Sequence, residues 1–206
     1  MTLTTPEFAA TREPAFYDDL HLSLAEAWRL LADGVVNAAS AFHQPVLAST
    51  ALDGRADARV AVLRGVDAGQ RELRFNSDVR TGKIAELTAD PRAMVVAYDA
   101  SSKVQLRLSG TVAVHHGDAL ARETWAATRK YSRRGYRLAQ QPGSVLPAPQ
   151  DADFQPAQDY DCGAAHFGVL RFTATQLEWL FLNAGGHRRA QYRWTGADWQ
   201  GQWLAP

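Results

Sequence analysis

Apolar positions along the chain change period several times. Over residues 20–39, Leu22, Leu24, Ala25, Trp28, Leu31, Val35 and Val36 recur at spacings near three and four, with Ser23 as a cap and Glu26 three residues on. That spacing predicts an amphipathic helix. After Gln44-Pro45 the pattern shortens to strand-like runs at Val46–Thr50, 59–64 and 72–77, separated by Asp53-Gly54 and Asp67-Ala68-Gly69. An acid followed closely by glycine between apolar runs marks a hairpin. Residues 81–88 predict a short helix stopped by Asp90-Pro91, because proline disfavours helical geometry in the residue before it. Residues 93–98 form a continuous apolar run, and residues 103–115 alternate over the length of a long strand bent at Ser109-Gly110.

A second helix is predicted over residues 118–134, its late Arg and Lys residues suiting the negative end of the helix dipole. Residues 140–160, with Pro142, Gly143, Pro147, Pro149 and Pro156, read as a long loop that can serve as a cover or a partner contact. Strands return at 168–173, 176–182, 190–194 and Trp199–Leu204, the last two joined by a turn around Gly196. Residues 1–18 have no period and read as an arm, leaving residues 19–206 as one domain. Many short hairpin-linked strands with marginal helices indicate an antiparallel barrel or sandwich, mainly β with flanking helices. A doubly wound parallel sheet does not fit, since strands and long helices do not alternate.

Composition narrows the function. The 206 residues carry 22 basic and 22 acidic side chains, 46% hydrophobic residues and one cysteine, Cys162. Zero net charge removes the broad attraction to phosphate backbones or anionic lipid, so no nucleic acid or membrane partner is expected, and any anion site must be local. No apolar run reaches the length of a membrane helix and the start lacks the order of a signal peptide, so a cytoplasmic, soluble protein is expected. A lone cysteine excludes an internal disulfide and multi-cysteine metal sites. The adjacent His115 and His116 point to opposite faces of a strand, and no metal site is expected.

No nucleotide fingerprint, P-loop or nucleophile elbow is present. What remains is a set of cationic and polar residues near strand ends: Arg59, Arg64, Asn76, Ser77 and Lys83. If the strands of Arg59 and Ser77 are hairpin partners, Arg59, Ser77, Lys83 and the free amides of the following helix can converge on one phosphate. The same pattern also fits cations solvated at strand ends. Gln105 either hydrogen-bonds a heteroaromatic ring or lies on a polar face.

The blocks RVAVLRGVD (59–67), LRFNSDVRTGKIAELTADPR (73–92), VQLRLSGTVAVH (104–115) and LEWLFLNAGGHRRAQY (177–192) together resemble the pyridoxamine 5′-phosphate oxidase-like family. The resemblance implies a six-stranded antiparallel FMN-binding split β-barrel and a homodimer with the flavin at its interface. It implies that Arg59 and Lys83 hold the FMN phosphate and that Val60, Ala61, Val62, Leu63 and Arg64 line the flavin with backbone and side chain. Asn76 and Ser77 would touch ribityl or phosphate, Gln105 would bond the ring, and Gln140 or Gln141 and residues 181–191 match segments that complete the site from a second subunit. Arg129 and Arg188 match substrate-binding arginines. No catalytic residue is assigned.

Departures from the family pattern bear on the reaction. Gly82 stands where a second phosphate-binding Arg is usual, and Arg64 replaces a Lys that reaches the substrate. A Tyr, Arg, Ser set falls near Trp125, Arg129 and Arg133, and Ala190 replaces a His. The expected function is an FMN-dependent oxidoreductase acting on a small molecule. True pyridoxine or pyridoxamine 5′-phosphate oxidation, and flavin binding without turnover, are the alternatives.

Overall fold

The computed structural model describes residues 13–152 and 160–206. The first predicted helix is α1, Leu20–Val36. Its cap is Asp19, whose carboxylate accepts from the amides of His21 and Leu22 at 2.8 and 2.9 Å. Ser23, the expected cap, lies one turn inside and is buried, its hydroxyl 2.5 Å from that of Tyr192.

Among the described residues, nine strands form one antiparallel sheet: β1 Val46–Thr50, β2 Ala56–Val60, β3 Leu63–Asp67, β4 Glu72–Asp78, β5 Arg92–Asp99, β6 Val104–His116, β7 Phe167–Phe181, β8 Arg188–Trp194 and β9 Trp199–Leu204. Between β4 and β5 lies α2, Gly82–Ala89, and after β6 come α3, Ala119–Ala127, and α4, Lys130–Arg133. The six-stranded barrel is therefore corrected to a nine-stranded sheet that does not close. Its main path runs β2-β1-β5-β6-β7-β4-β3, with the β8–β9 hairpin added on β7.

The predicted strand over residues 59–64 is divided. Arg59 and Val60 end β2, which pairs with β1, whereas Leu63 and Arg64 begin β3, which pairs with β4. Ala61, whose amide donates to Pro45 O at 2.9 Å, and Val62 carry the chain from one end of the sheet path to the other. Conversely, the runs at 168–173 and 176–182 belong to one strand, β7, of 15 residues. Where the bend was expected, at Ser109-Gly110, the register with β7 shifts: Ser109 opposes Gln176 and Gly110 opposes Ala174, so the extra, bulged residue is Thr175 on β7. Only glycine fits at position 110, because a Cβ on Gly110 would sit 2.1 Å from Thr173 O.

The helix predicted over 118–134 stops at Thr128. Arg133, buried, folds back so that its guanidinium donates to Thr128 O, Trp125 O and Ala126 O at 2.9, 2.9 and 3.1 Å. It satisfies the carbonyls that the end of α3 leaves open. A pair with Asp161 fixes it further.

Alternation along the strands sends Leu47, Val95, Leu106, Leu108, Leu177 and Trp179 into one core, which α1 covers through Trp28 and Leu31. Of the expected arm, residues 1–12 lie outside the described residues. Tyr17 is buried, and Phe16 meets Trp179 and Phe181 edge-on at 5.2 and 5.3 Å. Residues 153–159 of the predicted loop likewise lie outside the described residues.

Candidate functional site

Cation placement follows from two local structures. β4 ends by burying Ser77, and the chain turns through Asp78 and Arg80 into α2. The cap residue Thr81 does not close the helix with its side chain. Its hydroxyl donates to Asp78 O at 2.8 Å instead, so its lone pairs face Lys83. The Lys83 ammonium donates to Thr81 Oγ1 at 3.0 Å and to Ser77 Oγ at 3.2 Å. Burial, and next the charge of Arg59, lower the Lys83 pKa below its ordinary value.

Arg59 arrives from the neighbouring wall. It opposes Leu47 across β1–β2, on the face that carries the core. Nη1 donates to Ser49 Oγ at 2.5 Å and to Leu47 O at 3.4 Å. Nη2 donates to Glu86 Oε2 at 2.8 Å and to the Asp57 carboxylate. Glu86, buried on the inner side of α2, also accepts from Ser49 Oγ at 2.6 Å. An ammonium, a guanidinium, two hydroxyls and the uncapped end of an eight-residue helix thus lie together, a donor set suited to a phosphate dianion.

The remaining expected residues divide among other places. Val60 and Gln105 stand on the opposite, outer face of the sheet, in adjacent rows: Val60-Val46-Val96-Arg107 and Tyr98-Gln105-Leu180. Val60 and Tyr98 are exposed there, leaving apolar surface beside the Gln105 amide. Leu63 is fully buried in the core, so the expectation that its side chain lines a flavin is corrected: it can offer backbone alone. Ala61 is partly buried against the core and Val62 completes the crossing to β3.

Arg64 and Asn76 meet Arg129 in a cleft of about 410 Å³, which Arg74 and His43 also line. Asn76 Oδ1 and Arg74 Nε are buried there with no hydrogen-bond partner among the described residues. The break between α3 and α4 leaves Arg129 exposed at the start of α4. Gln141 bonds within its own chain, Nε2 donating to Arg80 O at 2.9 Å, while Arg80 donates to Leu138 O at 2.9 Å. Trp125 and Arg133 are buried and engaged with Asp161 and α3.

Arg188 is elsewhere. It opposes Phe181 at one end of β7, whereas Asn76 opposes Val169 near the other, about 40 Å apart along the strand at ~3.3 Å per residue. There Nε donates to Asp18 at 2.6 Å and the guanidinium lies 3.9 Å from the Tyr17 ring centre. Arg129 and Arg188 are not brought together within one chain.

Sequence reasoning passed over Ser49, Asp57, Thr81 and Glu86. The signal for Glu86 was its place three residues after Lys83, on the helix face turned to the sheet; that for Asp57 was its place two residues before Arg59 on the same strand face.

Residues 25–116, from α1 through β6, match the model of the pyridoxamine 5′-phosphate oxidase FMN-binding domain. The segment contains Arg59, Ser77, Lys83 and Gln105. Over that segment the chain is similar to the pyridoxamine 5′-phosphate oxidase-like family. FMN is the cofactor of the matched domain. Among relatives, the pyridoxine/pyridoxamine 5′-phosphate oxidase of Nitrobacter winogradskyi is 32% identical over 110 residues, which is 53% of this chain and 46% of that protein. This chain thus spans less than half the length of that relative. The enzyme of the same name from Cupriavidus necator is 28% identical over 169 residues, 78% of this chain and 77% of its own. PhzG of Burkholderia lata, solved with tetrahydrophenazine-1-carboxylic acid, has the same fold at TM-score 0.71 and 21% identity, covering 94% of this chain and 98% of that one.

Proposed function

We infer that the protein is an FMN-dependent oxidoreductase acting on a small anionic substrate. The observation that carries this reading is the convergence of Arg59, Lys83, Ser77 and Thr81, with the end of α2, on a place for one phosphate. Bound FMN would supply the redox chemistry, and the protein its orientation and surroundings. Arg59 and Lys83 would neutralise the phosphate. Val60 and the row behind it would cover one side of the ring, Gln105 would hydrogen-bond its edge, and Asn76 would reach the ribityl chain.

Arg64, Arg74 and Arg129 place three guanidinium groups around one cleft, which suits a carboxylate or phosphate on the substrate. Arg188 can join Arg129 on one small ligand only if a second copy of the chain supplies it, and this favours a homodimer with shared sites. A reducing, cytoplasmic setting fits the lone Cys162.

The test is the flavin itself. Purified protein should be yellow and release FMN on heating, and Arg59→Ala with Lys83→Ala should weaken FMN at least a hundredfold, since each charge-assisted hydrogen bond is worth roughly 1.5 to 3 kcal/mol. Unchanged FMN affinity would overturn the reading.

Pyridoxine or pyridoxamine 5′-phosphate oxidation is the second reading, favoured by Arg64 and Arg129 sharing the cleft. Against it, Trp125 and Arg133 are committed to the fold, and Ala190 is buried where the family offers a His. Oxygen-dependent formation of pyridoxal 5′-phosphate decides it.

A further inference from the structure

Asp57 and Glu86 both bond Nη2 of Arg59, and they differ in how firmly they are held. The Glu86 side chain is 10% exposed, fixed on α2 and backed by the Ser49 hydroxyl. The Asp57 side chain is 48% exposed, on the sheet's end strand β2, and can turn into water. Two carboxylates on one nitrogen repel each other, so the more mobile one is the easier to displace. The positive charge of Arg59 keeps the Asp57 carboxyl below its usual range, and it stays ionised at neutral pH.

Arg59 and Lys83 are balanced by Asp57 and Glu86, so the cluster is neutral as it stands. A phosphate dianion arriving with both carboxylates in place would create a net charge of about minus two, opposed by like-charge repulsion on every side. Arg59 has five N–H groups, and its Nη1 and Nη2 are already turned to protein acceptors. Turning Asp57 away frees a donor on Nη2 and restores the positive charge, while Glu86 and Ser49 keep the guanidinium in place.

We propose that Asp57 is a built-in competitor for the flavin phosphate: its carboxylate occupies Arg59 when phosphate is absent and yields that nitrogen when FMN binds. The proposal rests on the reading that Arg59 holds the phosphate. Asp57 then sets FMN affinity without touching the flavin ring and makes the site discriminate a dianion, which can displace it, from weaker anions.

The test titrates the full flavin-free chain, with FMN and with riboflavin, which lacks the phosphate, following flavin fluorescence. Asp57→Asn should tighten FMN about fivefold, on the scale of a half-exposed ion pair, and leave riboflavin unchanged. Arg59→Ala should weaken FMN and abolish the effect of Asp57→Asn. If Asp57→Asn leaves FMN unchanged or weaker while Arg59→Ala weakens it, the carboxylate is an anchor for Arg59, and the competitor fails although the phosphate reading stands. Equal tightening of FMN and riboflavin would also overturn it. If Arg59→Ala leaves FMN unchanged, the phosphate reading fails as well.

Discussion

Removing Glu86 tests how far the Arg59–Glu86–Ser49 cluster supports the fold. Glu86→Ala takes away the carboxylate held at 2.8 Å by Arg59 and at 2.6 Å by Ser49. Losing one member of a buried ion pair typically costs about 3 to 5 kcal/mol, chiefly because the remaining charge is left without its partner. Here Arg59 keeps Asp57 and its side chain is 19% exposed, which lowers the expected cost to about 2 kcal/mol. For a chain of this size that is a fall in Tm of roughly 4 to 8 °C. Glu86→Gln keeps shape and hydrogen-bonding capacity and should cost about 1 kcal/mol, the difference between a charged and a neutral bond. The assay is thermal and urea unfolding of flavin-free protein at one fixed concentration, because association also stabilises. A double-mutant cycle with Arg59→Met isolates the pair, with an expected coupling of about 1 to 3 kcal/mol. Costs that add to within about 0.5 kcal/mol would refute the argument, since Arg59 would then be indifferent to Glu86.

Other outcomes follow from particular contacts. Gly110→Ala should destabilise by about 3 kcal/mol or more, or abolish folding, because the new Cβ would collide with Thr173 O; unfolding midpoints check it. Lys83, its pKa lowered by burial and by Arg59, binds fewer protons folded than unfolded just below the ordinary lysine value of 10.5. Flavin-free stability should therefore gain from this residue as pH rises through that window, a gain that Lys83→Met removes in paired unfolding curves. Tyr136, pushed up to about 12 by burial, should ionise only above about pH 11, which the phenolate absorbance lost in Tyr136→Phe reports. Unfolded, that phenol titrates near 10, so Tyr136 should lower stability as pH rises from about 10 to 12.

Strand alternation and turn chemistry carried most of the fold into the sequence. The runs at Val46–Thr50 and Trp199–Leu204 are strands with those limits, and Ser109-Gly110 marked the place where the register of β6 with β7 shifts. What periodicity does not encode is where a strand changes partner. Residues 59–64 read as one strand because Val60, Ala61, Val62 and Leu63 are all apolar, yet the backbone leaves β1 at Val60 and joins β4 at Leu63. Likewise Thr175 looked like a gap between strands, whereas it is the bulged residue of one continuous β7, opposite Ser109-Gly110. The nearness of Lys83 to Ser77 and to the charge of Arg59 was legible, although the strands of Arg59 and Ser77 are not the hairpin partners that the sequence suggested. Its carboxylates were not, because Glu86 and Asp57 matter through partners distant in sequence. Arg188 was legible as a cation but not in its attachment to Asp18 and Tyr17, which lies outside any local pattern.

Strand β7 has a consequence for the order in which the chain acquires structure. It pairs with β6 along its length, with β4 through its first half and with β8 through its second. A nascent chain ending after β6 already contains Arg59, Ser77 and Lys83, but its 13-residue β6 and its β4 both present open edges, which invite pairing between chains. Closing them requires contacts roughly a hundred residues apart for β4, a slow step entropically. During synthesis Arg59, Ser77 and Lys83, proposed above to hold a phosphate, emerge first and wait for Phe167–Phe181 to fix the strand that carries Ser77. Cofactor capacity is then among the last properties the chain gains, and the interval before β7 arrives is when a chaperone has most to protect.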